Sequence, residues 1–324
     1  MMTLPLVVTA HLLLGQANPG YVREQTDDGA HCLRWPVAAG ATTQVTFVQS
    51  SAGDYKLGSG LFDAVSRSET SWAAQTSTCS SLVLLEGTHS PSRLTGYDPG
   101  GNNENLILVR TTDCMRVVPS GDPCRTSQTC GNAYDCWDQG AGLLAITLLT
   151  FDAKGVLLDT DVEINGDISY LSLVDSPPCM AGNVTPPCVG NDVQNTVTHE
   201  LGHALGLGHS PDPTSTMYAS APLGETSKRV IDPASKQFVC DVYPRGLASR
   251  DCSLPDGGTD PGGGGGTGGG GGGGGGSLPP GGGPGIARTT SGCAAAAGGG
   301  APGVLLVALS LGALALRRSS HTRR

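Results

Sequence analysis

The sequence is short of positive charge. Of its 324 residues, 19 are Lys or Arg and 28 are Asp or Glu. Five of the 19 basic residues and none of the acidic ones lie after position 286, so the first 286 residues carry 14 basic against 28 acidic side chains. Proteins that bind nucleic acid or anionic lipid surfaces need clustered positive charge. This balance therefore argues against nucleic acid as a partner of the main part of the chain.

The C-x-x-C spacing is absent, although the chain has 11 cysteines. Cysteine zinc sites usually carry that spacing, so a zinc site of this kind is the less favoured of two interpretations. The favoured one is five disulfide bonds, formed outside the reducing cytosol by the ten cysteines that precede Cys293. Their pairing cannot be read from the sequence, but Cys179/Cys188 and Cys240/Cys252 are each close enough to form a short loop. The ten are Cys32, Cys79, Cys114, Cys124, Cys130, Cys136, Cys179, Cys188, Cys240 and Cys252.

Glycine is abundant but has no collagen-like period. Of the 50 glycines, 20 lie between positions 257 and 285, which predicts a flexible linker over residues 253–286. At the other end, the apolar segment Leu4–Leu14 is followed by small residues at Gly15 and Ala17. That pattern predicts a signal peptide over residues 1–17. The 235 residues from 18 to 252 remain for a single folded domain.

Residues 287–324 form a C-terminal segment with three parts. Gly292-Cys293 precedes an Ala/Gly stretch, Val304–Leu316 is apolar, and Arg317-Arg318 follows. This order resembles the C-terminal sorting signals of bacterial surface proteins, in particular the myxobacterial type. The resemblance implies cleavage close to Gly292-Cys293 and location at the outer cell surface, with contact to the membrane or envelope through this segment. The alternative is a plain membrane anchor, but 13 helical residues span about 20 Å against a hydrocarbon core of roughly 30 Å.

Hydrophobic patterning predicts an α+β domain with one main sheet. Apolar residues at helical spacing favour a helix over Leu61–Gln75. Residues 112–140 contain four cysteines and have the composition of an irregular, disulfide-tied loop. The predicted hairpin turns at residues 152–155. Apolar runs favour strands over Val45–Gln49, Leu82–Leu85, Leu106–Val109, Leu143–Phe151 and Val156–Ile164, of which the last two form that hairpin.

The most informative segment has the pattern H-E-x-x-H-x-x-G-x-x-H, from His199 to His209. His199 and His203 are four residues apart, so a helix brings both imidazoles to one face. Gly206 can adopt a left-handed backbone conformation that ends the helix and returns His209 to the same metal ion. Three imidazoles leave one position of a tetrahedral zinc ion open to water, as in catalytic sites. Glu200 then lies beside the ion without ligating it and is the candidate general base.

This pattern resembles the zinc-binding motif of the metzincin metallopeptidases, whose methionine-containing turn corresponds to Ser215–Tyr218. Ser210 after the third histidine and Tyr218 after the methionine are similar to the matrixin branch. The resemblance is strong over Asp192–Pro244 and looser before it. It implies a mainly parallel twisted sheet with an antiparallel edge strand, an active-site helix and a C-terminal helix. It also implies that Met217 packs beneath the metal as an apolar floor.

The sequence therefore predicts a secreted or surface-tethered zinc endopeptidase acting on proteins or peptides. One catalytic zinc ion binds to His199, His203 and His209, and Glu200 is the catalytic base. The resemblance places Leu143–Phe151 at the edge of the sheet beside the cleft, where a substrate peptide adds as an extra strand. The alternative is a catalytically silent surface-binding or adhesion module that keeps the zinc site.

Calcium is a further expectation, because Ca²⁺ prefers oxygen ligands and the domain is acidic. The competing interpretation is that these side chains are solvated surface groups. The candidate ligands are Asp98, Asn102, Asn103, Asp159 and Asp161.

Overall fold

The computed structural model describes residues 20–127, 129–167, 170–180, 182–252 and 286–295. The predicted signal peptide, the linker up to residue 285 and the apolar run Val304–Leu316 lie outside these residues, so the domain boundaries remain predictions. Within the described ranges, no helix is both long enough and apolar enough to cross a bilayer.

The described residues form eleven strands and six α-helices. The strands are β1 (Val22–Arg23), β2 (Thr43–Gln49), β3 (Leu82–Glu86), β4 (Asn105–Arg110), β5 (Leu143–Asp152), β6 (Leu157–Asn165), β7 (Leu171–Ser172), β8 (Asn191–Asp192), β9 (Leu207–Gly208), β10 (Ser220–Ala221) and β11 (Ile286–Ala295). The helices are α1 (Gly60–Cys79), α2 (Cys114–Val117), α3 (Cys124–Ser127), α4 (Cys130–Tyr134), α5 (Val193–Ala204) and α6 (Pro233–Val242).

Seven strands form one mixed sheet in the order β10-β11-β5-β6-β4-β2-β3. Strands β2, β3, β4 and β6 run parallel, whereas β5 is antiparallel to β6. Parallel strands are covered on both faces, which explains why β4 is a continuous apolar run and is almost wholly buried. The predicted α+β class and the predicted hairpin of β5 and β6 are confirmed.

Strand β5 has a neighbour on each side, so the prediction that it is the edge strand is wrong. It pairs with β6 on one side and with β11 on the other. The second neighbour comes from beyond the glycine-rich residues and belongs to the predicted C-terminal segment. It satisfies the N–H and C=O groups that β5 would otherwise present unpaired at the sheet edge. The sequence of β11 consists mostly of small and polar residues, which lack the apolar alternation that predicts a strand.

All ten cysteines before Cys293 are paired, as predicted. Cys179 bonds to Cys188, but the short loop between Cys240 and Cys252 does not form. Distance in the folded chain decides the pairing, and it brings together residues that are 161 and 220 positions apart. The five bonds are Cys32–Cys252, Cys79–Cys240, Cys114–Cys136, Cys124–Cys130 and Cys179–Cys188.

Residues 112–140 are not wholly irregular, because they contain the three short helices α2, α3 and α4. Two disulfides lie within this segment, as predicted. A fully buried guanidinium attaches it to the sheet: Arg110 forms ion pairs of 2.9 Å with Asp135 in the segment and with Glu163 on β6. A buried charge is tolerated only when paired in this way, so the segment and the sheet are held together electrostatically.

Helix α1 fixes the position of α5. The indole Nε1 of Trp72, which is fully buried, donates to the Thr198 carbonyl oxygen at 2.9 Å. One turn earlier, Ser68 Oγ donates to the Gln194 carbonyl oxygen at 3.1 Å. These bonds join the middle of α1 to α5 and leave the opposite face of α5 free to carry the histidines.

One carboxylate in this layer has no partner. Glu69 on α1 is buried, and neither of its carboxylate oxygens is hydrogen-bonded within the described part of the chain. It borders a cavity of about 100 Å³ that is also lined by Phe47, Leu84 and Leu201. Burial, with a smaller contribution from the charge of Glu86, raises the pKa of Glu69 to about 8.

We expect this group to make the fold less stable as the pH rises. Its pKa is above the ordinary value of 4.5, so the folded protein binds the proton more tightly than the unfolded chain does. Stability is then lost as the pH increases from about 4.5 to about 8. Glu69→Gln removes this dependence. Its free energy of unfolding should therefore exceed that of the wild type by an amount that grows between these two pH values, to a few kcal/mol at most.

Urea unfolding at pH 5 and pH 8.5 measures this difference, with Asp27→Asn as a control because Asp27 is exposed. Equal stability differences between Glu69→Gln and wild type at the two pH values would contradict the prediction.

Candidate metal centre and active site

Helix α5 begins and ends at well-defined caps. Asp192 Oδ1 accepts a hydrogen bond from the Asn195 backbone N–H at 2.8 Å, and Arg229 pairs with the same carboxylate. At the other end, Gly206 has φ of +100°, which confirms the predicted left-handed turn. A Cβ atom there would lie 2.4 Å from the Leu33 carbonyl oxygen, so the position needs glycine for space as well as for conformation.

The turn brings His209 back to His199 and His203. One ligand nitrogen from each ring lies within 4.8 Å of the others, the condition for sharing one ion. The Nδ1 atoms of His199 and His203 lie 2.7 Å from the carbonyl oxygens of Thr216 and Leu207. Because a carbonyl oxygen only accepts, each Nδ1 carries the hydrogen and each Nε2 keeps its lone pair. Those two Nε2 atoms are 3.1 Å apart.

The three rings are in a state suited to binding a metal. Burial lowers the pKa of His199, His203 and His209, so all three are neutral near pH 7. His209 Nε2 is buried and has no hydrogen-bond partner among the described residues. A buried lone pair without a donor is costly, and a cation at the meeting point of the three rings would satisfy it. The residues present therefore fit a zinc ion held by three nitrogen ligands.

Glu200 lies beside this group and is not part of it. Its side chain is fully buried, and burial raises its pKa to about 8. Thr147 Oγ1, on β5, donates to Oε2 at 2.7 Å, while Oε1 accepts from the backbone nitrogen of Cys293 at 3.0 Å. Both oxygens are thus oriented by neighbours. Thr147 is a residue that the sequence reasoning missed, because a lone threonine inside an apolar strand gives no signal.

Met217 is almost fully buried and packs against α5 at Gly202. A Cβ atom on Gly202 would lie 2.3 Å from Met217 Sδ, so this glycine lets the turn approach the helix. Asp232, which the sequence reasoning did not assign to the site, secures the turn. Its Oδ2 accepts from the Thr216 backbone N–H at 2.9 Å and its Oδ1 caps α6. An aspartate directly before Pro233 is a helix N-cap pattern and could have indicated this residue.

The expected calcium ligands are not assembled into a site. Asp161 is buried, and its carboxylate accepts from the backbone N–H groups of Gly96 and Leu106. Asp98 instead organises its own loop, with the Gly100 N–H donating to it at 2.9 Å. Over the described residues, the group of His, Cys and acidic side chains close enough to bind one ion is the three histidines. Calcium thus has no support here.

Gly206→Ala should weaken both the fold and the metal site. The added Cβ meets the Leu33 carbonyl oxygen and also disfavours the left-handed φ, so we expect a loss of about 3 kcal/mol or more in the free energy of unfolding. The shift of the chain between His203 and His209 should lower zinc affinity at least about tenfold.

The matched control is Gly40→Ala, which has φ of +76° but nothing within 4 Å of the new Cβ. It should cost only about 1–2 kcal/mol and leave zinc affinity unchanged. Urea unfolding and competitive zinc titration measure both quantities. Equal losses of stability and of zinc affinity in the two variants would show that the contact with Leu33 contributes to neither.

Comparison with known proteins agrees with this geometry. Residues 123–243 match the matrixin model of the M10 peptidases, a range that contains α5, the methionine-containing turn and α6. A 30-residue segment is 67% identical to a protein of Invertebrate iridescent virus 3 named "Probable matrix metalloproteinase 095L". The aligned segment covers 9% of this chain and 8% of that protein, so the chain matches less than a tenth of the relative's length. Both similarities support a matrixin-like metallopeptidase.

Proposed function

We propose that the protein is a zinc-dependent endopeptidase that hydrolyses peptide bonds in protein substrates. The observation that carries this proposal is the meeting of three imidazoles, two buried and one half-buried, beside a buried carboxylate that is not a ligand. A structural zinc site would close the fourth position with a further ligand, whereas three nitrogen ligands leave it open. The similarity to matrixins supports a metallopeptidase at the level of the family.

Glu200 is the proton carrier of the proposed reaction. Zinc held by His199, His203 and His209 would lower the pKa of a water molecule and polarise the carbonyl group to be attacked. Glu200 takes a proton from that water and returns it to the nitrogen of the leaving amine. Thr147 keeps Oε2 in place by its hydrogen bond, which leaves Oε1 to face the substrate.

We further propose that the enzyme is exported and acts at the outer surface of a bacterium. Five disulfides support folding in an oxidising compartment. The apolar segment at residues 4–14 and the three-part C-terminal segment support export and surface attachment.

Two substitutions separate the metal from the base. His203→Ala leaves two ligands and should abolish stoichiometric zinc binding. Glu200→Ala should keep one zinc per chain and lower casein hydrolysis by about 10²–10⁴-fold, the usual contribution of a general base. His89→Ala is the control, because His89 is exposed and stacks on Phe62 away from the site. Zinc is measured by elemental analysis of the dialysed protein.

More than a few per cent of wild-type activity in Glu200→Ala would refute the proposed mechanism. If the wild type and all the variants bind zinc or fold normally but none of them, the wild type included, hydrolyses casein, the adhesion module is favoured instead.

A further inference from the structure

Strand β11 occupies the cleft in which a substrate would bind. It runs antiparallel to β5 from the pair Ile286 and Asp152 to the pair Ala294 and Leu143. Its last residues also pair in parallel with β10 on the other side. A peptide held by backbone hydrogen bonds on both sides is bound in an extended form, independently of most of its side chains. The cleft therefore binds a segment of its own chain through backbone hydrogen bonds, as it would bind a separate peptide.

The peptide bond between Gly292 and Cys293 lies at the catalytic groups. The nitrogen of this bond is the atom that donates to Glu200 Oε1 at 3.0 Å. A general base that later protonates a leaving amine must be within such a distance of that nitrogen. The bond thus has the proposed general base at its nitrogen.

The side chain of Cys293 does not block the metal site. It is fully buried in a small apolar cluster with Leu144 and Ala221. Its sulfur is not among the atoms close enough to share an ion with the three histidines. The thiol consequently fills a side-chain pocket next to the bond and leaves the position between the imidazoles to the ion and the reacting groups.

Gly292 lies too close to β5 for a larger residue to fit. A Cβ atom there would lie 2.4 Å from the Ala145 carbonyl oxygen and 3.0 Å from Ile146 Cα. These are backbone atoms, which cannot rotate away as a flexible side chain can. The cleft thus accepts glycine before the bond, and after it a small apolar side chain in the pocket of Cys293.

Contacts away from the bond hold the rest of the strand. Arg288 Nη2 donates to the Tyr97 carbonyl oxygen at 2.6 Å, and Ser291 Oγ donates to Glu24 Oε1. Nearer the end of the strand, the Ala294 backbone N–H donates to the Ala219 carbonyl oxygen at 2.9 Å. The strand is therefore positioned along its whole length and not only at Cys293.

We infer that the protein hydrolyses its own Gly292–Cys293 bond, which presupposes the peptidase activity proposed above. Water adds to the carbonyl carbon of Gly292 and the bond from that carbon to the Cys293 nitrogen breaks. Glu200 passes the two protons of the water, one after the other, to the nitrogen, so that Gly292 ends as a carboxylate and Cys293 as a free ammonium group. Residues 293–324 are released. Until this happens, β11 excludes other substrates, and the intact chain should act on them only after a lag.

Docking of the strand can be measured without any metal. Cys293 is the one unpaired cysteine, since the other ten form disulfides. In the folded, zinc-free full chain a maleimide should label it slowly because it is fully buried. Gly292→Val should expel the strand and raise the labelling rate at least about tenfold. Thr290→Val, on the same strand, is the control and should label as wild type does. Rapid labelling of the wild type would overturn the inference.

Cleavage is tested by adding zinc to the same protein and recording intact masses. We expect a cut between residues 292 and 293 in wild type and in Thr290→Val, at a rate independent of protein concentration. Glu200→Ala should not be cut. Gly292→Val should hydrolyse casein without a lag and keep its own bond intact. Ser291→Asp places a second carboxylate beside Glu24 and should also expel the strand. It replaces Gly292→Val in these experiments if Gly292→Val does not fold.

The outcomes separate the two levels of the proposal. Casein hydrolysis by wild type or Gly292→Val, with an intact Gly292–Cys293 bond in wild type, overturns self-cleavage and leaves the peptidase activity standing. Absence of casein hydrolysis in every folded variant that binds zinc overturns both.

Discussion

Three imidazoles can share one ion only if each keeps a lone pair on the nitrogen that faces the others. In this protein the backbone enforces that condition for two rings, because the carbonyl oxygens of Thr216 and Leu207 each accept a hydrogen from Nδ1. Both carbonyls follow α5, that of Leu207 in β9 directly after the turn at Gly206 and that of Thr216 in the methionine-containing turn, so these two segments set the tautomers as well as the positions of the ligands. Asp232, Gly202 and the contact with α1 in turn hold those turns and the helix. Much of the fold around the site can be understood as support for this one arrangement.

The sequence was informative where a local pattern has a local cause. The helical spacing of His199 and His203 needs only a helix, and the reversal at Gly206 needs only a residue that tolerates positive φ. The strands β4 and β5 were predictable because buried strands of a parallel sheet or a hairpin are apolar along most of their length. The matrixin resemblance then supplied the expected order of the elements, while the role of Met217 as an apolar floor beneath the metal stays a prediction.

The parts that could not be predicted depend on residues that are distant in sequence. Cys79 and Cys240 meet because α1 and α6 both pack on the same core, and nothing near either cysteine indicates the other. Thr147 acts on Glu200 because β5 lies beside α5, which is a property of the assembled layers. The position of β11 beside β5 has no apolar pattern to announce it, since backbone hydrogen bonds and the fit of Gly292 hold it in place. A segment of this kind is held mainly by its backbone atoms. Because backbone hydrogen bonds depend little on residue type, the sequence gives little sign of them.

The two long-range disulfides connect the strength of the fold to the redox state of its surroundings. Cys32–Cys252 and Cys79–Cys240 join residues 220 and 161 positions apart, and closing loops of more than 100 residues stabilises a fold by about 4–5 kcal/mol in the chain-entropy account. That is a large share of the roughly 5–15 kcal/mol that separates most folded proteins from their unfolded states. The second of these bonds ties α1, the support of the histidine helix, to α6, which Asp232 links to the methionine-containing turn. In a reducing compartment these two bonds would not form, and the elements around the three histidines would be held less firmly. The proposed peptidase would then be poorly assembled inside the cell that makes it.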